Sequence, residues 1–201
     1  MNLFEAVSEK IIFDLPDAEI VYYPNFFDQT DANAIFEKLK TSTNWQQDEI
    51  TVFGKKHLQP RLTALFGNNG KSYSYSNIKM MPSPWTALLE KIKLKIQSVV
   101  QTNFSTVLLN FYRSGQDSNG WHADDEKELG QNPVIASVSF GAPRFFYLKH
   151  ITNKSLKQKI LLEHGSLLVM SGTTQHFWKH QIPKTTKQVA ERINLTFRLI
   201  R

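Results

Sequence analysis

The C-terminal half of the chain is written in short, apolar-rich runs, some of them broken by polar positions at alternate residues. They occupy residues 107–113, 134–140, 144–150, 159–163, 166–171, 176–182 and 189–200, with Gly, Pro or Asn in many of the gaps. Short apolar runs bounded by turn residues, and period-two alternation where it occurs, predict β-strands. Seven or eight such strands joined by turns predict a jelly-roll or related double-sheet barrel. Earlier in the chain, two strand-like pieces, 11–15 (IIFDL) and 19–23 (EIVYY), flank Pro16. A helix is expected after Asp28, whose side chain can cap it, running through Ile35, Phe36 and Leu39. A second is expected with Ser83 as cap, Pro84 at the first helical position, and Trp85, Leu88, Leu89, Ile92, Ile96 and Val99 on one stripe. Lys91, Lys93 and Lys95 fall towards its other faces and are expected in solvent. The fold class is therefore mainly β with flanking helices (α+β). The chain is expected to form one domain over 1–201, with 1–100 an N-terminal extension of helices and hairpins and 101–201 the β core.

One run alternates without exception. In Arg192-Ile193-Asn194-Leu195-Thr196-Phe197-Arg198 the apolar residues share one face, and the other carries two arginines with Asn194 and Thr196 between them. The arginine Cα atoms stand about 20 Å apart at ~3.3 Å per residue, and long side chains leaning inward could clamp both ends of a short dicarboxylate. A solvated edge strand explains arginines but not the whole polar series. Asn110 and Tyr112 likewise share one face of LLNFY.

A second feature is His122-Ala123-Asp124, which follows that strand-like run and the loop RSGQDSNG. With six histidines in the chain, a bare His-x-Asp arises by chance in roughly one such chain in four, so the motif alone proves little. His180, in TQHFWKHQI, could complete a set of two imidazoles and one carboxylate, which suits a non-haem Fe(II) oxygenase.

Between the expected helices, residues 50–76 read ITVFGKKHLQPRLTALFGNNGKSYSYS. This stretch carries the turn Val52-Phe53-Gly54, the basic Pro60-Arg61 segment, and Tyr73-Ser74-Tyr75. Aromatics on basic hairpins suit a protein that stacks on a base and holds phosphates, although aromatic-rich core strands would look similar. Lysine-rich tracts without acids, 149–159 and 179–187, could add phosphate contacts, though individually most of those lysines fit solvated loops.

Taken together, His122-x-Asp124, His180, Asn110-x-Tyr112, HADDE, ASVSFGAPRFF, HGSLLVM and RINLTFR resemble the AlkB family of Fe(II)/2-oxoglutarate dealkylating dioxygenases, in order through about residues 50–201. The resemblance implies a double-stranded β-helix core behind a substrate-recognition region. It implies Fe(II) on His122, Asp124 and His180, with 2-oxoglutarate and dioxygen as co-substrates. Arg192, Asn194 and Tyr112 would hold the distal carboxylate of 2-oxoglutarate, with Thr196 on the same face, and Arg198 and Asn110 would lie nearer the metal-bound end. Oxidation of an N-methyl group would yield formaldehyde, succinate and carbon dioxide. Tyr73 to Ser76 would line the base pocket, and the turn at Phe53 would fill the gap left by a flipped base. Glu126 would face the base and Asp125 would lie in the same substrate-contacting run, where a carboxylate favours cationic N1-methyladenine or N3-methylcytosine. Asp125 could equally pair with an arginine or support a metal ligand.

Composition narrows the setting. The chain has 201 residues, 41% hydrophobic, and no cysteine, which excludes disulfides and thiolate metal sites and suits a reducing cytoplasm. A net charge of +6 and a pI near 9.4 favour polyanionic partners. DNA is the expected partner, RNA the alternative, with no membrane association and a monomeric state. Two other functions share most of these features: a dioxygenase acting on proteins or small molecules, and a catalytically silent nucleic-acid-binding module.

Overall fold

The computed structural model describes residues 9–52, 55–67, 73–75 and 78–201. The chain opens with β1 (Ile11–Leu15), β2 (Ala18–Tyr23) and helix α1 (Gln29–Ser42). Next come β3 (Glu49–Val52), β4 (Lys55–Leu58), β5 (Leu62–Gly67), β6 (Tyr73–Tyr75), β7 (Ile78–Met80) and helix α2 (Ala87–Gln97). The second half holds β8 (Thr106–Tyr112), β9 (Asn119–His122), β10 (Ile135–Gly141), β11 (Arg144–His150), β12 (Lys157–Leu162) and β13 (Ser166–Ser171). It ends with a short helix α3 (Thr174–Phe177), β14 (Trp178–Ile182) and β15 (Arg192–Arg198).

Two antiparallel sheets form the jelly-roll. The larger has seven strands in the order β1-β2-β13-β10-β15-β8-β5, the smaller four in the order β12-β11-β14-β9, and β3-β4 and β6-β7 are separate hairpins. The central strands of the seven-stranded sheet, β8, β10, β13 and β15, are buried on both faces. Ile193, Leu195 and Phe197 of β15 pack with Leu89, Ile92 and Ile96 of α2 in one core. Leu108, Leu168 and Met170 pack with Phe146, Leu148 and Trp178 of the smaller sheet in a second core. Helices therefore seal the outer face of the large sheet, and the site lies between the sheets.

Asp28 caps α1 as expected, accepting from the Asp31 N–H at 2.8 Å. The start of α2 differs. Ser83 exchanges backbone bonds with β5, donating to Leu65 O and accepting from Gly67 N–H, each at 2.9 Å. A backbone committed to a ladder cannot begin a helix, so Thr86 caps α2 instead, accepting from Leu89 N–H at 3.3 Å. Val99 falls beyond the helix and is exposed, while Val100 is buried. Lys93 is buried, not solvated: its Nζ lies 2.7 Å from Glu90 Oε2 and 4.6 Å from the Trp85 ring centroid. The expected strand 176–182 begins at Trp178, because residues 174–177 form a helical turn. Strands that went unforeseen include β5, inside the aromatic-rich stretch, β7, just beyond it, and β9, whose NGWH has no apolar alternation. No helix among the described residues is long and apolar enough to cross a membrane.

Candidate metal centre and co-substrate pocket

β14 and β9 are neighbours in the smaller sheet, and their register sets His180 directly opposite His122. Both rings reach the pocket between the sheets, with Nε2 atoms 3.1 Å apart. Asp124 lies just past β9, its Oδ2 4.0 Å from His180 Nε2. One ligand atom from each of the three residues falls within 4.8 Å of the others. Two ligands about 2.1 Å from one ion at right angles stand about 3.0 Å apart, close to the imidazole spacing seen. The donor set therefore fits a divalent first-row metal.

Neighbouring groups fix each ligand's chemistry. His122 Nδ1 donates to Gly120 O at 2.7 Å, which leaves Nε2 with its lone pair towards the site. His180 stacks on Phe146 with centroids 5.0 Å apart. Burial, and then the facing His122, push the pKa of His180 down to about 3, and burial lowers that of His122 as well. Both imidazoles are thus neutral at pH 7, and a metal has no proton to displace from them. Burial alone would raise the pKa of Asp124, but attraction to the Arg198 guanidinium holds it below the usual carboxylate range. Arg198 Nη2 donates to Asp124 Oδ1 at 2.6 Å, leaving Oδ2 as the oxygen nearest His180.

The polar face of β15 turns into the same pocket, beside Asn110 and Tyr112 of β8. Arg192 is buried; its Nη2 donates to Ser139 Oγ at 2.9 Å, while Nε and Nη1 have no hydrogen-bond partner among the described residues. Its Cζ sits 5.1 Å from the centroid of the Tyr112 ring. Desolvation lowers the Arg192 pKa to about 10, so the group stays cationic at neutral pH. A buried cation with two unused donors fits a carboxylate from outside the chain.

The two arginines do not form a symmetric clamp. Arg198 is engaged with the Asp124 carboxylate, and Arg192 offers unused donors at the other end of the strand. Asn194 donates to Ser137 Oγ at 2.8 Å and Val138 O at 2.9 Å and accepts from Thr196 Oγ1 at 3.1 Å. Its amide is thus consumed within the protein, and it orients the strand face rather than presenting free donors. Arg61, expected on a substrate-facing basic hairpin, is instead buried. It donates from Nε to Asn110 Oδ1 at 2.7 Å and from Nη1 to Ser118 O at 3.1 Å, because β5 pairs with β8 and carries it inward.

Of the other expected substrate residues, Phe53, Gly54 and Ser76 lie outside the described residues. Val52 ends β3 of the β3-β4 hairpin, and Tyr73, Ser74 and Tyr75 form β6. Asp125 is exposed and Glu126 half-buried just beyond Asp124.

Two residues not singled out in the sequence also shape the site. Arg144 pins the loop before β9 to the chain after β14, donating to Asp117 O at 3.2 Å and Pro183 O at 2.6 Å. Gln175, in α3, is buried; its Oε1 accepts the backbone N–H of Asp124 at 2.9 Å, and its Nε2 contacts Met170 Sδ at 3.6 Å. Gln175 thereby ties the loop that carries one ligand to the segment that leads into another. Gln175→Leu is expected to weaken Co(II) binding by the roughly 10- to 100-fold typical of lost outer partners. Titration of the folded variant by the visible Co(II) bands checks this, and wild-type affinity would remove Gln175 from the site.

Comparison with known proteins agrees with this geometry. The family model of the 2OG-Fe(II) oxygenase superfamily matches residues 19–198. The mouse alpha-ketoglutarate-dependent dioxygenase alkB homolog 3 is 39% identical over 205 residues, covering 98% of this chain and 71% of that protein. The bovine DNA oxidative demethylase ALKBH2 is 37% identical over 188 residues, covering 89% of this chain and 68% of that one. In fold, the chain is similar to the solved structure of OsALKBH1 with a TM-score of 0.65 at 18% identity, covering 90% of this chain and 96% of that one. A 2OG-Fe(II) oxygenase family protein from Burkholderia pseudomallei aligns with a TM-score of 0.59 at 13% identity, covering 89% and 84%. The jelly-roll, the convergent His-Asp-His set and these relatives place one conclusion beyond the motif itself: the chain belongs to the AlkB family of 2OG-Fe(II) oxygenases.

Proposed function

We propose that the protein is an Fe(II)/2-oxoglutarate-dependent oxidative demethylase of alkylated nucleobases, N1-methyladenine and N3-methylcytosine, in DNA, with RNA as the alternative polymer, and that it repairs alkylation damage. The observation that carries this reading is one pocket holding His122, Asp124 and His180 at one end and the half-used guanidinium of Arg192 at the other. Relatives named as alpha-ketoglutarate-dependent dioxygenases and DNA oxidative demethylases support it. The alternatives, a protein or small-molecule oxygenase and a silent binding module, have no comparable support among the relatives named.

Iron bound with 2-oxoglutarate and dioxygen supplies the oxidation that releases formaldehyde and succinate. The protein's part is positional. His122, Asp124 and His180 would hold the metal on one side, so that its remaining positions face the pocket. Arg192, over Tyr112, would receive the distal carboxylate, and Asn110, held by Arg61, would lie nearer the metal. Asp125 and Glu126 would favour a cationic methylated base over a neutral one. The cysteine-free sequence fits a cytoplasmic setting, and one chain supplies triad and pocket, so the protein is proposed to act there as a monomer.

The test is incubation with Fe(II), 2-oxoglutarate and methylated DNA or RNA oligonucleotides, following loss of the methyl group by mass and succinate formation alongside. Succinate formed without demethylation of either polymer would move the protein to the non-nucleic-acid oxygenases. A finer expectation concerns Phe53, proposed as the wedge that fills the gap behind an extruded base. Extrusion from a duplex costs a few kcal/mol, and stacking returns roughly 1–3 kcal/mol per base. Phe53→Ala is therefore expected to lower activity on methylated duplex more than on the matching single strand. Equal losses in a folded variant would count against the wedge.

A further inference from the structure

The smaller sheet has a second face, turned away from the metal. β12, β11, β14 and β9 contain no Asp or Glu, and their outward positions carry lysines and large aromatics. Lys149 of β11 lies in register with Lys157 on one side and Lys179 on the other. Like charges directly opposite one another on a sheet are destabilising, so this row of three asks for an anionic partner. Next to it, Tyr147 pairs with Lys159 on one side and Gln181 on the other. Phe145 is 40% and Trp121 38% exposed.

The aromatics and cations are interleaved. Phe145 and Tyr147 have ring centroids 6.3 Å apart, Lys159 Nζ stands 3.6 Å from the Phe145 ring centroid, and Lys149 Nζ stands 4.2 Å from that of Trp121. Trp121 is the residue before His122, so the platform runs up to the strand that carries the metal site. Two tracts that look like separate solvated loops in the sequence, 149–159 and 179–187, thus contribute to one acid-free surface.

We propose that this outer face is a docking platform for single-stranded nucleic acid, bases stacking on the aromatic side chains while the lysine row neutralises phosphates. A sheet that offers aromatic faces between cations suits unpaired bases, whose planes are open for stacking. A duplex buries those planes and would use only the charges. The proposal rests on the nucleic-acid substrate of the proposed function but not on its chemistry, since the platform needs neither metal nor a methylated base.

Fluorescence anisotropy of the full chain with an unmethylated oligothymidine tests it, in metal-free buffer and across a salt series. Replacing Lys149, Lys157 and Lys179 together by Ala is expected to weaken binding tenfold or more at low salt and to reduce the slope of log K against log salt by roughly 2, at about 0.7 per phosphate contact on a single strand. These substitutions relieve like-charge repulsion, so Tm should hold or rise. Phe145→Ala with Tyr147→Ala should weaken oligothymidine binding roughly fivefold or more and leave binding of a heparin fragment unchanged. Unaltered affinity and salt slope in the lysine variant overturn the proposal. So does a loss confined to the lysine variant and equal for heparin and oligothymidine, which would mark a general polyanion surface. A methylated trinucleotide, too short to span the face, separates this idea from the chemistry. Variants that demethylate it normally but bind oligothymidine poorly support the platform. If wild type demethylates nothing yet binds oligothymidine through these residues, the demethylase reading fails and the platform stands.

Discussion

Asp124→Asn is expected to abolish succinate formation and to lower Co(II) affinity by well over the roughly 10- to 100-fold seen when only an outer partner of a metal ligand is lost. The reason is charge as well as ligand count. Asp124 is the one anionic member of the His122-Asp124-His180 set, and its two oxygens are divided between Arg198, at 2.6 Å, and the side facing His180, at 4.0 Å. Without it, two neutral imidazoles would have to hold a dication beside an uncompensated guanidinium. Asn keeps the shape and an acceptor for Arg198, so the variant should still fold. Asp124→Ala removes that acceptor too, and breaking a buried ion pair costs about 3–5 kcal/mol. The pair of variants separates site loss from unfolding, with circular dichroism reporting the fold and the Co(II) bands the site. A folded Asp124→Asn protein that bound Co(II) like wild type would sink the triad assignment.

Arg192→Met should leave metal binding intact while raising the 2-oxoglutarate requirement by roughly 30-fold or more, the lower end of the 2–5 kcal/mol expected when one partner of a buried charge pair is removed. Its effect on the metal-free protein should run the other way. A buried guanidinium with unused Nε and Nη1 is costly, and a well-packed apolar side chain of similar length is often neutral or stabilising in such a place. Tm without co-substrate should therefore hold or rise, while the gain in Tm on adding 2-oxoglutarate should shrink. Arg198→Ala is the contrasting case: because Arg198 holds Asp124, that change should disturb Co(II) binding as well. An unchanged 2-oxoglutarate dependence in Arg192→Met would return this residue to a purely structural role.

Which features the sequence could reveal depended on how local their physics is. Alternation along RINLTFR specified a strand with one apolar and one polar face, and its two faces are the ones that meet α2 and the pocket. His-x-Asp was visible because the two residues stand two positions apart at the end of β9, and Asp28 because a cap acts within three residues. Long-range pairing decided the rest. Ser83 had the chemistry of a cap, but its backbone was claimed by β5. Arg61 looked like surface charge until the pairing of β5 with β8 carried it beneath Asn110. Arg192 and Arg198 are equivalent by period, yet only the approach of Asp124, 74 residues away in the chain, commits Arg198 to that carboxylate. Gln175 gave no signal at all, since its role exists only once α3 lies against the loop after β9. Period and spacing determine which side chains share a face; which partner each face meets is set by strand order, and strand order is a property of the folded sheet alone.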